Sequence, residues 1–156
     1  RFGIPLQLEF YSPESLKEIV ILNAKKLNVK IETIAAFEIA KRSRGTPRIA
    51  IRLLKRILDF SIVQNSENIS MEIVEESLKQ MRIDSEGLDE MDRKYLKCIS
   101  FDYNGGPVGI ETLSAALLEQ RDIIEDVIEP YLMQKGLVQR TSRGRILSKK
   151  GINHIN

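Results

Sequence analysis

Arginine and lysine without neighbouring acids are the residues of this sequence best suited to chemistry. Residues 39–57 carry Lys41, Arg42, Arg44, Arg48, Arg52, Lys55 and Arg56 and no Asp or Glu; residues 135–150 carry Arg140, Arg143, Arg145 and Lys149, again with no acid. A guanidinium presents a planar fork of N–H donors that matches phosphate oxygens in pairs, so these runs read as two sites for polyanions. Solvated basic faces would look the same, because the acids gather elsewhere, at 72–76, 84–92 and 119–129. Arg48 is the sharper signal. It follows Thr46-Pro47, a helix-start pair, and so falls in a first turn where the helix dipole disfavours a cation by about 0.3–1 kcal/mol. That placement makes sense where a phosphate joins the arginine at the helix N-terminus.

These side chains need elements to hold them. Ser12-Pro13 is a second cap-plus-proline start, and Leu16, Ile19, Val20 and Leu27 continue it as a helical stripe. A short helix over 32–42 is expected to turn Ile34, Phe37 and Ala40, or their neighbours, inward. From Thr46 to about Gln64, Ile49, Leu53, Leu54, Ile57 and Leu58 face a core, and Arg48, Arg52, Lys55, Arg56 and Asp59 line the opposite side. Ser70 opens a fourth helix to Gln80, completing a small helical bundle. Residues 83–88 have no periodicity, and Gly87 is the first glycine for some forty residues, so we expect a first domain over 1–82, a linker at 83–88 and a second domain over 89–156.

The second domain predicts helices over 89–100, 110–118 and 122–134. Two short strands, 137–140 and 146–148, then flank a loop containing Gly144, which can supply a positive φ. Three helices and a hairpin are the order of a winged helix, making the fold mainly α with a short β-hairpin wing. Its third helix is the element that ordinarily reads a major groove, yet it carries Asp122, Glu125, Asp126 and Glu129, and Pro130 should bend or break it. The remaining cations, Arg121, Arg140, Arg143 and Arg145, point to contact by charge, through phosphates or a minor groove. A winged helix that binds protein, with a basic hairpin kept for solubility, is the competing reading.

Composition narrows the classes further. A net charge of +2 with 42% apolar residues in 156 argues against disorder for most of the length, and no apolar run suits a bilayer span. One cysteine, Cys98, and one histidine, His154, exclude an internal disulfide and a standard zinc site. Cys98 and Met91 are expected in the core and His154 at the surface near a frayed end. We expect a metal-free, cytoplasmic protein. Arg1 in place of Met suggests a longer chain.

Four segments in order, Arg1-Phe2-Gly3-Ile4, Leu8-Glu9-Phe10-Tyr11, Ser43-Arg44-Gly45-Thr46-Pro47-Arg48-Ile49-Ala50 and Gln139-Arg140-Thr141-Ser142-Arg143-Gly144-Arg145, resemble the RuvB family of bacterial Holliday-junction branch-migration motors over essentially the whole chain. The resemblance implies an AAA+ helical lid followed by a winged helix, within an ATP-driven DNA helicase of homologous recombination and repair. It also implies a homohexameric ring around double-stranded DNA, with a junction-recognition subunit, RuvA, and a resolvase, RuvC, as partners. Arg1 resembles the arginine finger reaching a neighbouring subunit's ATP, Tyr11 the residue beside the adenine, and Arg48 the sensor-2 arginine. Arg121, Arg140 and Arg145 resemble the DNA-contacting positions. Ser142 replaces a proline common in the family. The P-loop pattern Gly-x-x-x-x-Gly-Lys-Ser/Thr is absent, so the phosphate cradle and the ligands of Mg bound with ATP or ADP are expected outside this sequence, which alone should not hydrolyse ATP. Two other classes fit the pattern: a non-enzymatic winged-helix DNA-binding regulator with a helical dimerisation domain, and a related AAA+ replication initiator or clamp-loader subunit. The hairpin argues against the clamp loader.

Overall fold

The computed structural model describes residues 10–66 and 68–155. Two compact units divide at Gly87/Leu88. Ile83 packs on the first core and Leu88 is fully buried in the second, so little of 83–88 is left as linker.

The first unit contains α1 (Pro13–Lys26), β1 (Lys30–Ile31), α2 (Thr33–Lys41), α3 (Pro47–Val63), β2 (Asn68–Ile69) and α4 (Met71–Gln80). Ser12 caps α1 by accepting the Ser15 amide at 3.2 Å, and Ser70 caps α4 through the Ile73 amide. Thr46 does not cap α3, because its hydroxyl donates to the Arg44 carbonyl at 3.1 Å instead. In α2 the inward residues are Ala35, Ala36, Ile39 and Ala40; Ile34 is exposed and Phe37 half-buried. The inward face is thus Ala40 and the neighbours of Ile34 and Phe37, placing small alanines where helices pack closely. Leu27 is likewise no core residue but the exposed cap that ends α1. The two-residue strands, too short to show a period, pair in parallel, Lys30 with Asn68 and Ile31 with Ile69.

The second unit contains α5 (Glu90–Lys97) continued by a π turn (Cys98–Asp102), α6 (Ile110–Leu117), α7 (Arg121–Ile123), a π turn (Ile124–Ile128), α8 (Glu129–Gln134), β3 (Val138–Thr141), β4 (Gly144–Leu147) and α9 (Lys149–Ile155). Asp89 accepts the Met91 and Asp92 amides while Asp92 accepts that of Asp89, a reciprocal cap. The helix expected to bend or break at Pro130 does not break but loses its regular α geometry in the wide turn just before it, where a proline without an N–H can be accommodated. In the wing Val138, Gln139, Arg140 and Thr141 face Leu147, Ile146, Arg145 and Gly144, leaving a loop of only Ser142 and Arg143. Gly144 has φ +131°, and a Cβ there would collide with the Val108 carbonyl, since Val108 bridges Arg145 as a third, single-residue strand. Gly151 lies inside α9, where the Leu137 backbone passes too close for any side chain. His154 lies in the last turn of α9 and is half-buried. Cys98 is buried and Met91 packs against the core. No helix of the described residues is long and apolar enough to cross a membrane.

Candidate functional site

In the first unit, the structure ties two of the sequence motifs together. The Tyr11 amide donates to the Gly45 carbonyl at 2.9 Å, securing an exposed tyrosine to the loop that leads into α3. Arg48, in the first turn of α3, is exposed and has no side-chain partner among the described residues. Pro47 has no N–H, Ile49 and Ala50 both donate back to the Thr46 carbonyl, and no acid stands in that turn. An unpaired guanidinium at an uncapped, electropositive helix start, on a loop bonded to an exposed aromatic, fits the phosphates and base of a nucleotide. No group of three or more His, Cys, Asp or Glu residues able to hold a metal ion occurs among the described residues. Arg1 lies outside the described residues.

In the second unit, the basic residues gather around two carboxylates. Glu129 has a fully buried side chain and accepts from three donors: the Tyr95 hydroxyl at 2.9 Å, Arg145 Nε at 2.7 Å, and Arg140 Nη2. Glu125, one turn earlier, takes Arg145 Nη2 at 2.7 Å on Oε1 and Arg121 Nε at 2.9 Å on Oε2; Arg140 Nη2 stands 3.9 Å from Oε1. Arg121 also reaches Glu111 at 3.3 Å.

Arg145, expected with Arg121 and Arg140 at DNA-contacting positions, has a side chain only 8% exposed and held by Glu129 and Glu125. The reason is the hairpin register. Arg140 and Arg145 sit directly opposite each other across β3 and β4, where two like charges repel unless a carboxylate lies between them. Arg121 and Arg140 remain largely open, at 55% and 43%, and Arg143 is exposed in the loop, its amide donating to the Thr141 hydroxyl and its side chain without a partner among the described residues.

Electrostatics follow from these contacts. Burial raises the Glu129 pKa, but hydrogen bonds from Arg145, Arg140 and Tyr95 outweigh it and hold the carboxyl below its usual value. Burial, then the Glu129 charge, pushes the Tyr95 phenol far above its usual range, so it stays a donor. Glu125 is held low by Arg121 and then Arg145. Of the four helix acids that seemed hostile to a phosphate backbone, two are thus neutralised; Asp122 and Asp126 stay exposed. Reading the sequence missed Glu129 and Tyr95 as site residues. The signal for Glu129 was its position beside Ile128 and Leu132 on the apolar side of its helix, where a charge requires a partner.

Residues 11–84 match the RuvB AAA lid domain and residues 85–156 the RuvB C-terminal winged helix domain. The chain belongs to the RuvB family. It is 56% identical over 156 residues to the Holliday junction branch migration complex subunit RuvB of Orientia tsutsugamushi strain Boryong, covering all of this chain and 48% of that protein. To the subunit of the same name from Gluconobacter oxydans strain 621H it is 53% identical over 155 residues, or 99% of this chain and 44% of the relative. The solved structure of the Thermotoga maritima RuvB Holliday junction branch migration motor superposes with a TM-score of 0.94 at 50% identity, over 99% of this chain and 52% of that one. The chain spans about half the length of the curated relatives it matches. Arg48 and Tyr11 therefore lie in a RuvB lid, and the arginine–carboxylate cluster in a RuvB winged helix.

Proposed function

We propose that this chain is the lid and DNA grip of an ATP-driven motor that moves Holliday junctions. The lid senses nucleotide, with Arg48 at the phosphates and Tyr11 beside the base, and transmits nucleotide state as a change of lid angle. Arg1 acts as the finger toward a neighbouring subunit's ATP. The winged helix holds duplex backbone through Arg121, Arg140 and Arg143, while Arg145 sets the shape of the wing from beneath. The remainder of the motor supplies the phosphate cradle and Mg ligands, and the working form is a hexameric ring in the cytoplasm, serving with RuvA and RuvC. Support comes from the names of the relatives and, above all, from one observation: Arg121 and Arg140, both open to solvent, come to the same Glu125 carboxylate from two different elements. Their spacing suits an anionic group with two or more oxygens.

The test is duplex binding by this chain across a salt titration. Binding is expected to be indifferent to sequence and to weaken steeply with salt. Arg140→Ala with Arg143→Ala should lower the affinity and flatten the log–log slope by about 0.9 for each phosphate that is no longer neutralised. An unchanged slope would overturn the grip, and strong preference for one symmetric sequence would favour the regulator reading. The chain alone should release no phosphate from ATP; measurable turnover would contradict the division of labour.

A further inference from the structure

We propose that Glu125 is a built-in occupant of the winged helix's phosphate site, which a DNA phosphate displaces, whereas Glu129 is the fixed anchor that keeps the wing in register. This rests on the reading of the unit as a backbone grip. The two acids lie one helical turn apart on one face, yet their surroundings differ. Glu129 has a fully buried side chain and three donors, Tyr95, Arg145 and Arg140, from two strands and a helix. Nothing anionic from solution can reach or replace it. Glu125 is partly open, and its carboxylate joins the buried half of the cluster to the open half: Oε1 on Arg145, with Arg140 at 3.9 Å, and Oε2 on Arg121.

A carboxylate and a phosphate diester each offer a pair of oxygens sharing one negative charge, and guanidinium forks accept either. The geometry also keeps the cost of the exchange low. When Arg121 and Arg140 turn to a phosphate, Glu125 keeps Arg145 Nη2, and Glu129, which gives up Arg140, keeps Arg145 Nε and the Tyr95 hydroxyl, so no carboxylate is left without a cation. Arg140 stays oriented meanwhile, because its strand is pinned opposite Arg145, and Arg145 is pinned to Glu129. Glu111, the other acid on Arg121, lies farther away at 3.3 Å and is mostly exposed, a weaker competitor. Glu125 thus tunes grip strength: in a motor that must release backbone at each step, an internal competitor lowers affinity while every arginine stays in place.

The experiment compares duplex affinity of the whole chain with Glu125→Gln and Asp126→Asn. Both remove one negative charge from neighbouring positions of the same helix, but Asp126 holds no arginine among the described residues. Glu125→Gln should tighten binding about two- to five-fold, the range of exposed ion pairs, and clearly more than Asp126→Asn. In parallel, the Arg Nε–H resonances of the unaltered chain are followed as duplex is added: those of Arg121 and Arg140 should shift and that of Arg145 should stay. Equal gains from the two variants, or an Arg145 signal that moves with Arg121, would overturn the proposal. If the unaltered chain shows no salt-dependent duplex binding, or loses none with Arg140→Ala and Arg143→Ala, the backbone-grip reading itself fails. Salt-dependent binding that those variants weaken, with no extra gain from Glu125→Gln, sinks only the role of Glu125.

Discussion

A single buried carboxylate fixes the chemistry of the wing. Glu129→Gln would leave the buried Arg145 with Glu125 as its one remaining carboxylate among the described residues, and removing one partner of a buried pair costs up to about 3–5 kcal/mol. The loss should be seen as faster amide exchange in residues 88–155, with the first unit unchanged. Acid should act through the same group. The folded-state value of Glu129 lies below the unfolded one, about 4.3. Its contribution is therefore complete above that pH and disappears as pH falls through the lower, folded value. Urea titrations at descending pH should show this loss in the unaltered chain and a flatter profile in Glu129→Gln; parallel profiles would rule out the linkage. Cys98, by contrast, is a core thiol whose pKa burial, followed by Asp102, pushes up to about 11, so it remains protonated and unreactive near neutral pH.

At the level of elements, the winged helix departs from regular geometry where its chain must turn tightly. Leu118, which ends α6 at φ +56°, is 91% exposed and so holds a left-handed backbone for which its side chain gains nothing. Leu118→Gly should stabilise the unit by about 1 kcal/mol, read as a higher urea midpoint at constant slope; a lower midpoint would show that the exposed leucine contributes something the fold alone does not reveal. Gly144→Ala should have the opposite sign, since both the positive φ and the Val108 carbonyl forbid the new methyl. Periodicity located α1, α3, α4 and α6 to within a residue or two because each shows one apolar face every 3.6 residues. It missed β1 and β2, which have only two residues each, and α9, which is short and contains Gly151, a residue unfavourable inside a helix.

For the molecule as a whole, two separate hydrophobic cores imply two cooperative units. Glu129→Gln should then shift one denaturation step and leave the other unmoved, as followed by hydrogen exchange on each side of residue 87. The sequence by itself determined the bundle, the helix–helix–helix–hairpin order and the concentration of cations near Arg48 and in the wing. Caps, periods and charge runs are properties of neighbouring residues, readable without coordinates. Only the tertiary structure decided which arginines are open to a ligand. Arg140 and Arg145 are five residues apart and of identical type, yet pairing across the hairpin sets them face to face and a helix brings Glu125 and Glu129 beneath them. One stays open and the other is sealed in, because burial and ion pairing depend on residues 11 to 34 positions apart meeting in space, and no local pattern records those meetings.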